Sequence, residues 1–302
     1  MTARRFLSTY AIFVALVVEC VVLAVAAPSF LTGDNFANVL RQNAFPAIIA
    51  AGMTFAILTG GIDLSVGSVV ALSGVLCADA LVHGWPIWSA VALGLAVGIG
   101  VGLINGLIVT TVRVPPFIVT LAMMLVVRGA AFKYTDAHTI SGLPPAFAGL
   151  SQRMTMAMVM AVVFAASWLL LTRTPFGRHV YATGGNREAA WLSGIRVDRV
   201  LVKVYAICGL SAGLAGVLVA SRLNAGYPRA GELYELDAVA AVVVGGTSLF
   251  GGRGSIWGTL AGAFFIGILN NGLNLYNVSA YDQMIAKGMV LLAAASLDRW
   301  RA

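Results

Sequence analysis

Long apolar stretches separated by short polar breaks dominate the chain, and their lengths suit helices. Runs near 7–27, 44–59, 64–83, 86–112, 114–132, 154–172, 200–222, 236–250, 255–275 and 283–298 carry few charges. About 20 such residues span the roughly 30 Å hydrocarbon core of a bilayer. The pattern predicts an all-α polytopic membrane protein of about ten transmembrane helices, with residues 1–302 forming a single transmembrane domain. The runs at 44–59 and 236–250 are short and end in paired glycines, so a broken or half-length helix is the alternative reading at each.

One polar break differs from the others. Between 173 and 199 the chain is rich in arginine and contains Asn186-Arg187-Glu188-Ala189-Ala190-Trp191-Leu192-Ser193-Gly194. Asn186 is placed to cap a short helix, Glu188 suits its first turn, and Gly194 suits the left-handed residue that ends it. The expected product is an isolated helix lying on the cytoplasmic surface, smooth at its two alanines, with Trp191 and Leu192 turned toward the protein's own membrane helices. An ordinary capped loop helix is the plain alternative.

Composition agrees with the pattern. Hydrophobic residues make up 60% of 302 and charged residues 10%, whereas soluble domains carry about 25% charged residues. The net charge of +7 follows from topology and needs no nucleic acid. With the N-terminus inside, the cytoplasmic face collects Arg4, Arg5, Arg113, Arg173, Arg178, Arg187, Arg196, Arg199, Lys203, Arg253, Arg299 and Arg301, and the outer loops keep Arg41, Lys133, Arg153, Arg222 and Arg229. That bias places both termini in the cytoplasm. The first apolar run is longer than a signal-peptide core and contains Glu19, so it reads as an uncleaved helix. Cys20, Cys77 and Cys208 lie in apolar segments without metal-ligand spacing, and no metal or cofactor is expected.

The chain also echoes itself. Leu58-Thr59-Gly60-Gly61 through Ser68 resembles Val244-Gly245-Gly246 through Ser255, and each is followed by an Asn-Gly helix motif, Asn105-Gly106 and Asn271-Gly272. Two related halves separated by an odd number of spans would be inverted, a transporter signature. Chance recurrence of glycine-rich helix packing is the other reading.

Five ordered motifs carry a family resemblance. GGIDLSVGS (60–68), PPFIVTLAMMLVVRG (115–129), GRHVYATGGNREAAWLSGI (177–195), AVVVGGTSLFGGRGSIWGTLAGA (241–263) and NNGLNLYNVSAYDQMI (270–285) resemble the inner-membrane permeases of bacterial ABC sugar importers, the ribose permease group above all. The resemblance covers nearly everything after about residue 36. It implies a monosaccharide permease with an ABC ATPase, an extracytoplasmic sugar-binding protein and a second permease copy or paralogue as partners, in a bacterial inner membrane. It also implies that Gly185, Asn186, Arg187, Glu188, Ala189, Ala190 and Gly194 dock the ATPase. The wider importer pattern continues with Ile-x-Leu-Pro, where this chain has Val204-Tyr205-Ala206-Ile207.

A sugar path needs neutral hydrogen-bonding groups at membrane depth, and Asn105, Asn270, Asn271 and Asn274 are the candidates; interhelical bonding is the competing role. Asp63, at the break between the second and third runs, reads as a helix cap or a gate contact. Arg128 and Lys287 are expected to snorkel or to point into the bundle. Pro28–Asn43, 133–153 and 223–235 form the expected landing surface for a binding protein, with Arg41, Arg229, Glu232 and Glu235 as rim charges. No Gly-x-x-x-x-Gly-Lys-Ser/Thr loop occurs, so energy must come from another subunit. The rival is a proton-coupled secondary transporter using Glu19 or Asp79 as carrier.

Overall fold

The computed structural model describes residues 3–301, and side chains for all of these except 3–10, 153 and 297–301. The predicted topological charges Arg4, Arg5, Arg153, Arg299 and Arg301 therefore lie outside the described side chains. The helices in chain order are α1 (Ala3–Ala26), α2 (Gly33–Leu58), α3 (Val66–Val82), α4 (Ile87–Thr111), α5 (Pro116–Thr135), α6 (Arg153–Arg173), α7 (Pro175–Gly185), α8 (Arg187–Leu192), α9 (Val197–Leu223), α10 (Tyr234–Val244), α11 (Ile256–Leu275) and α12 (Ala280–Arg301). Each apolar run read from the sequence falls on one of them, with α7 and α8 filling the polar break. Among the described residues, five helices, α4, α5, α6, α9 and α11, are long and apolar enough to cross a membrane.

The two glycine-ended runs resolve differently. α10 has 11 residues, a rise of about 16 Å, and stops at Gly245 and Gly246, the second with φ +87°; it is a half-length helix. The run at 44–59 instead belongs to a 26-residue helix that starts at Gly33. Thr32 caps it by accepting from the Asn35 N–H at 3.3 Å, and Asp34 sits in the first turn. The sequence hides this start because polar residues interrupt 34–43, yet Asn35 and Asn43 are buried. Pro28–Asn43 is thus only in part the outer loop it was expected to be.

Helices α2 and α9 form the core. From Ala44 to Leu58 every residue of α2 except Pro46 is buried, and α9 packs against α2, α3 and α4. The α4–α9 contact depends on missing side chains. Gly94, Gly98, Gly102 and Gly106 recur at one-turn spacing on α4, and a Cβ on Gly98 would overlap the Gly209 carbonyl, while one on Gly102 would overlap that of Tyr205. In lipid, where apolar burial between helices gains little, such close backbone approach supplies the packing.

At the far end of α9 two connecting segments join. Ile140–Ser141 pairs antiparallel with Ala225–Gly226, and Ser221 Oγ donates to the Phe147 carbonyl at 2.7 Å. Arg128 points inward: it donates to the carbonyls of Pro228 at 2.9 Å, Ala230 at 2.8 Å and Gly67 at 3.1 Å. It holds the 228–230 segment to α3 and α5, where the sequence had left snorkelling open. Glu235 is half-buried in the first turn of α10 and lies against Gly67, so it is no exposed rim charge.

Overpacking at the α4–α9 contact should cost about 1–3 kcal/mol or more. Gly102→Leu is expected to lower the thermal midpoint of the detergent-solubilised protein clearly. Gly100→Leu, where an added Cβ meets nothing within 4 Å, should leave it nearly unchanged.

Candidate docking helix and polar interior sites

The polar break folds as its capping residues dictate. Thr174 Oγ1 accepts from the Gly177 N–H at 3.3 Å and Pro175 opens α7. The extended backbone of Asn186 (φ −162°, ψ 110°) then separates α7 from α8. Its Oδ1 accepts from the Ala189 N–H at 2.9 Å, and Glu188 lies in the first turn. At the other end Gly194, at φ +84°, donates to the Trp191 carbonyl at 2.9 Å, and Ile195 donates to that of Ala190 at 3.1 Å. This closes the helix with a left-handed residue that a side chain would strain.

The face of α8 differs from expectation. Ala190 is 4% exposed, whereas Trp191 and Leu192 are 66% and 72% exposed. A helix of under two turns offers room for about one inward residue, and close seating on α9 selects the small one. The aromatic and aliphatic side chains beside it are turned outward. Trp191 lines a cleft of ≈950 Å³ together with Thr59, Arg113, Glu188, Asp198 and Phe250.

The root of α8 sits on a junction of three glycine segments. The Gly252 N–H donates to the Leu58 carbonyl at 2.9 Å, so the two turns that echo each other in sequence touch in space. Gly184, two residues before Asn186, packs on both: a Cβ there would collide with the Leu58 carbonyl and lie 2.7 Å from the Gly252 nitrogen. Arg187 Nη2 donates to the Thr59 carbonyl at 3.2 Å, and Tyr181 OH to that of Gly254 at 3.0 Å.

Asp63 lies just above this junction and is 1% exposed. Its Oδ1 accepts from Ser65 N–H at 3.0 Å and Ser65 Oγ at 2.6 Å, closing the turn that leads into α3. Asn105 Nδ2 donates to Ser65 Oγ at 2.9 Å, which fastens α4 to that turn. Buried Tyr205 stands nearby, its hydroxyl 2.5 Å from where a Gly61 Cβ would be. Nothing in its apolar run marked it.

The four candidate path asparagines are not brought together. Asn271 and Asn35 exchange amide bonds at 2.7 and 3.0 Å, tying α11 to α2. Asn274 accepts from Gln283 at 2.8 Å, and Asn105 is engaged as described. Asn105 and Asn270 each keep an amide oxygen that is buried and unpartnered, and Asn270 lines a cavity with Asn43 and Arg222. Of the carboxylates in the apolar runs, Asp79 accepts from Tyr134 OH at 2.7 Å, Asp237 pairs with Lys287 at 2.9 Å, and Glu19 is buried without a partner.

A family profile described as "Branched-chain amino acid transport system / permease component" matches residues 35–295. The chain belongs to this permease family. Within it, the chain is 49% identical over 294 residues to the ribose import permease protein of Bacillus subtilis (strain 168), covering 95% of this chain and 91% of that one. It is 37% identical to the D-allose transport system permease protein of Escherichia coli (strain K12), covering 97% and 92%. It is 38% identical to the xylose transport system permease protein of the same strain, covering 89% and 86%. No solved structure matches the chain. With several apolar helices, this permease is a multi-pass inner-membrane protein.

In this permease a methyl group at Gly184 has nowhere to go, while one on Gly185 meets nothing within 4 Å. Gly184→Ala should therefore displace α7 from the two glycine turns and lower both thermal stability and transport, and Gly185→Ala should leave thermal stability unchanged. Parallel uptake and thermal-stability assays of the two variants check this. Asn186→Ala should loosen α8 by about 1 kcal/mol, seen as faster amide exchange over residues 187–194.

Proposed function

We propose that this permease is the membrane-spanning subunit of an ATP-driven importer for a monosaccharide, ribose or a similar sugar. The permease names of its relatives, ribose, allose and xylose, support the substrate class. Residues 173–199 are the loop that docks a separate ABC ATPase, with Gly185–Ala190 and Gly194 as its core. An extracytoplasmic sugar-binding protein delivers the sugar, and a second copy or paralogue completes the pore. The long helices supply about ten spans, both termini lie in the cytoplasm, and the halves carrying the two glycine turns are inverted repeats.

The observation that carries this reading is the rooted, outward-facing α8. A partner gripping Trp191 and Leu192 holds a helix whose first residue is bonded to Thr59 and whose root, Gly184, touches both glycine turns. Displacement of α8 is thereby passed to the ends of α2 and α10 together. Closure of an ATPase pair gives such a displacement, and rigid-body movement of packed helices turns it into alternating access. The secondary-transport reading keeps Glu19, whose carboxylate is buried without a partner, but Asp79 is held by Tyr134 at an exposed site and the relatives' names, import or transport-system permeases, favour the importer.

Ala189→Asp or Gly194→Phe should leave membrane insertion intact and uncouple ATP hydrolysis from uptake. Normal sugar uptake in both variants overturns the docking assignment. A mild-detergent pull-down of the tagged chain should retain an ABC ATPase; recovery of the chain alone, under conditions that keep other transporter complexes whole, overturns the importer reading.

A further inference from the structure

At the end of α9 remote from α8 lies a cavity of ≈410 Å³ between α2, α9, α10, α11 and the segment held by Arg128. That is ample for a small ligand, since ligand pockets begin at about 300 Å³. Its lining contains polar groups with no other employment. Pro46 interrupts α2 here, and having no N–H it leaves the Gln42 carbonyl without its helical donor. Asn43 is 4% exposed, yet its amide nitrogen has no partner, nor has the amide oxygen of Asn270.

Gly267 makes room for Asn43: a Cβ there would lie 2.6 Å from its amide nitrogen. The Asp237 carboxylate is occupied by Lys287 at 2.9 and 3.1 Å, and the Arg222 guanidinium lies over the Phe45 ring at 5.6 Å. What stays open is a neutral donor, a neutral acceptor and one stacked cation. Buried amides left unpartnered are costly, and a hydroxyl, which both donates and accepts, satisfies either kind. Several hydroxyls on one neutral ring satisfy them all.

We propose that this cavity is a binding subsite for a monosaccharide, held through its hydroxyls by the Asn43 amide and Asn270 Oδ1. The assignment rests on the sugar-permease reading. The sequence had singled out Asn270 alone of these groups.

The test places a cysteine at Tyr227, a half-exposed residue on the rim, in the full chain in nanodiscs. The rate of modification by a water-soluble maleimide is followed with D-ribose, D-allose or D-xylose present, and the chain without the added cysteine supplies the background from Cys20, Cys77 and Cys208. At least one sugar is expected to slow modification several-fold. Asn270→Leu should abolish that protection, and Asn270→Asp, which keeps an acceptor, should retain it. Protection by none of the three sugars, or undiminished protection in Asn270→Leu, overturns the subsite. The permease reading fails separately, if the wild-type complex with its ATPase and binding protein shows no ATP-driven uptake of any of them.

Discussion

Backbone meeting backbone, without side chains between, is the constraint on which this protein depends. A membrane removes most of the hydrophobic gain from helix association, because lipid tails are as apolar as leucine. What remains is close contact, and the chain spends its glycines on it. Gly98 and Gly102 bring α4 onto α9, Gly262 brings α11 onto α10, and Gly184 brings the end of α7 onto Leu58 and Gly252. At the last of these sites three segments far apart in sequence share one point. The hydrogen bond from Gly252 N–H to the Leu58 carbonyl links the two glycine turns directly.

This junction gives the proposed docking helix its mechanical meaning. A six-residue helix attached by a flexible loop would absorb a partner's movement. Here α8 is capped at one end by Asn186, closed at the other by Gly194, bonded to Thr59 through Arg187 and rooted in Gly184. The buried turn around Asp63, Ser65 and Asn105 extends the rigid region into α3 and α4. The remote end is built differently. There Arg128 gathers three carbonyls, and polar groups without partners border a cavity.

The asparagines show how little residue type says about role. Asn105, Asn270, Asn271 and Asn274 look alike in sequence, each an amide in an apolar run. Asn271 finds Asn35, 236 residues away, and becomes a bond between helices. Asn270, its neighbour by one position, is turned about 100° around α11 and borders the cavity. Helices that are apolar on every side carry no periodic signal to fix their rotation, so which side an amide takes is left to packing. Trp191 and Leu192 make the same point at the surface: large apolar residues in a membrane protein suggest burial, and the seating of Ala190 turned them outward.

By itself the sequence determined what depends on neighbours within about four residues. The apolar runs became helices, and α8 took its cap and its left-handed stop where those residues stand. Only the tertiary structure decided which glycines meet, which amides pair, where Arg128 points, and that α2 begins at Gly33 through a mixed stretch in which Asn35 and Asn43 are buried. These outcomes join residues dozens to hundreds of positions apart. They are set by the rotation and closest approach of whole helices, quantities that no local pattern of apolar and polar residues encodes.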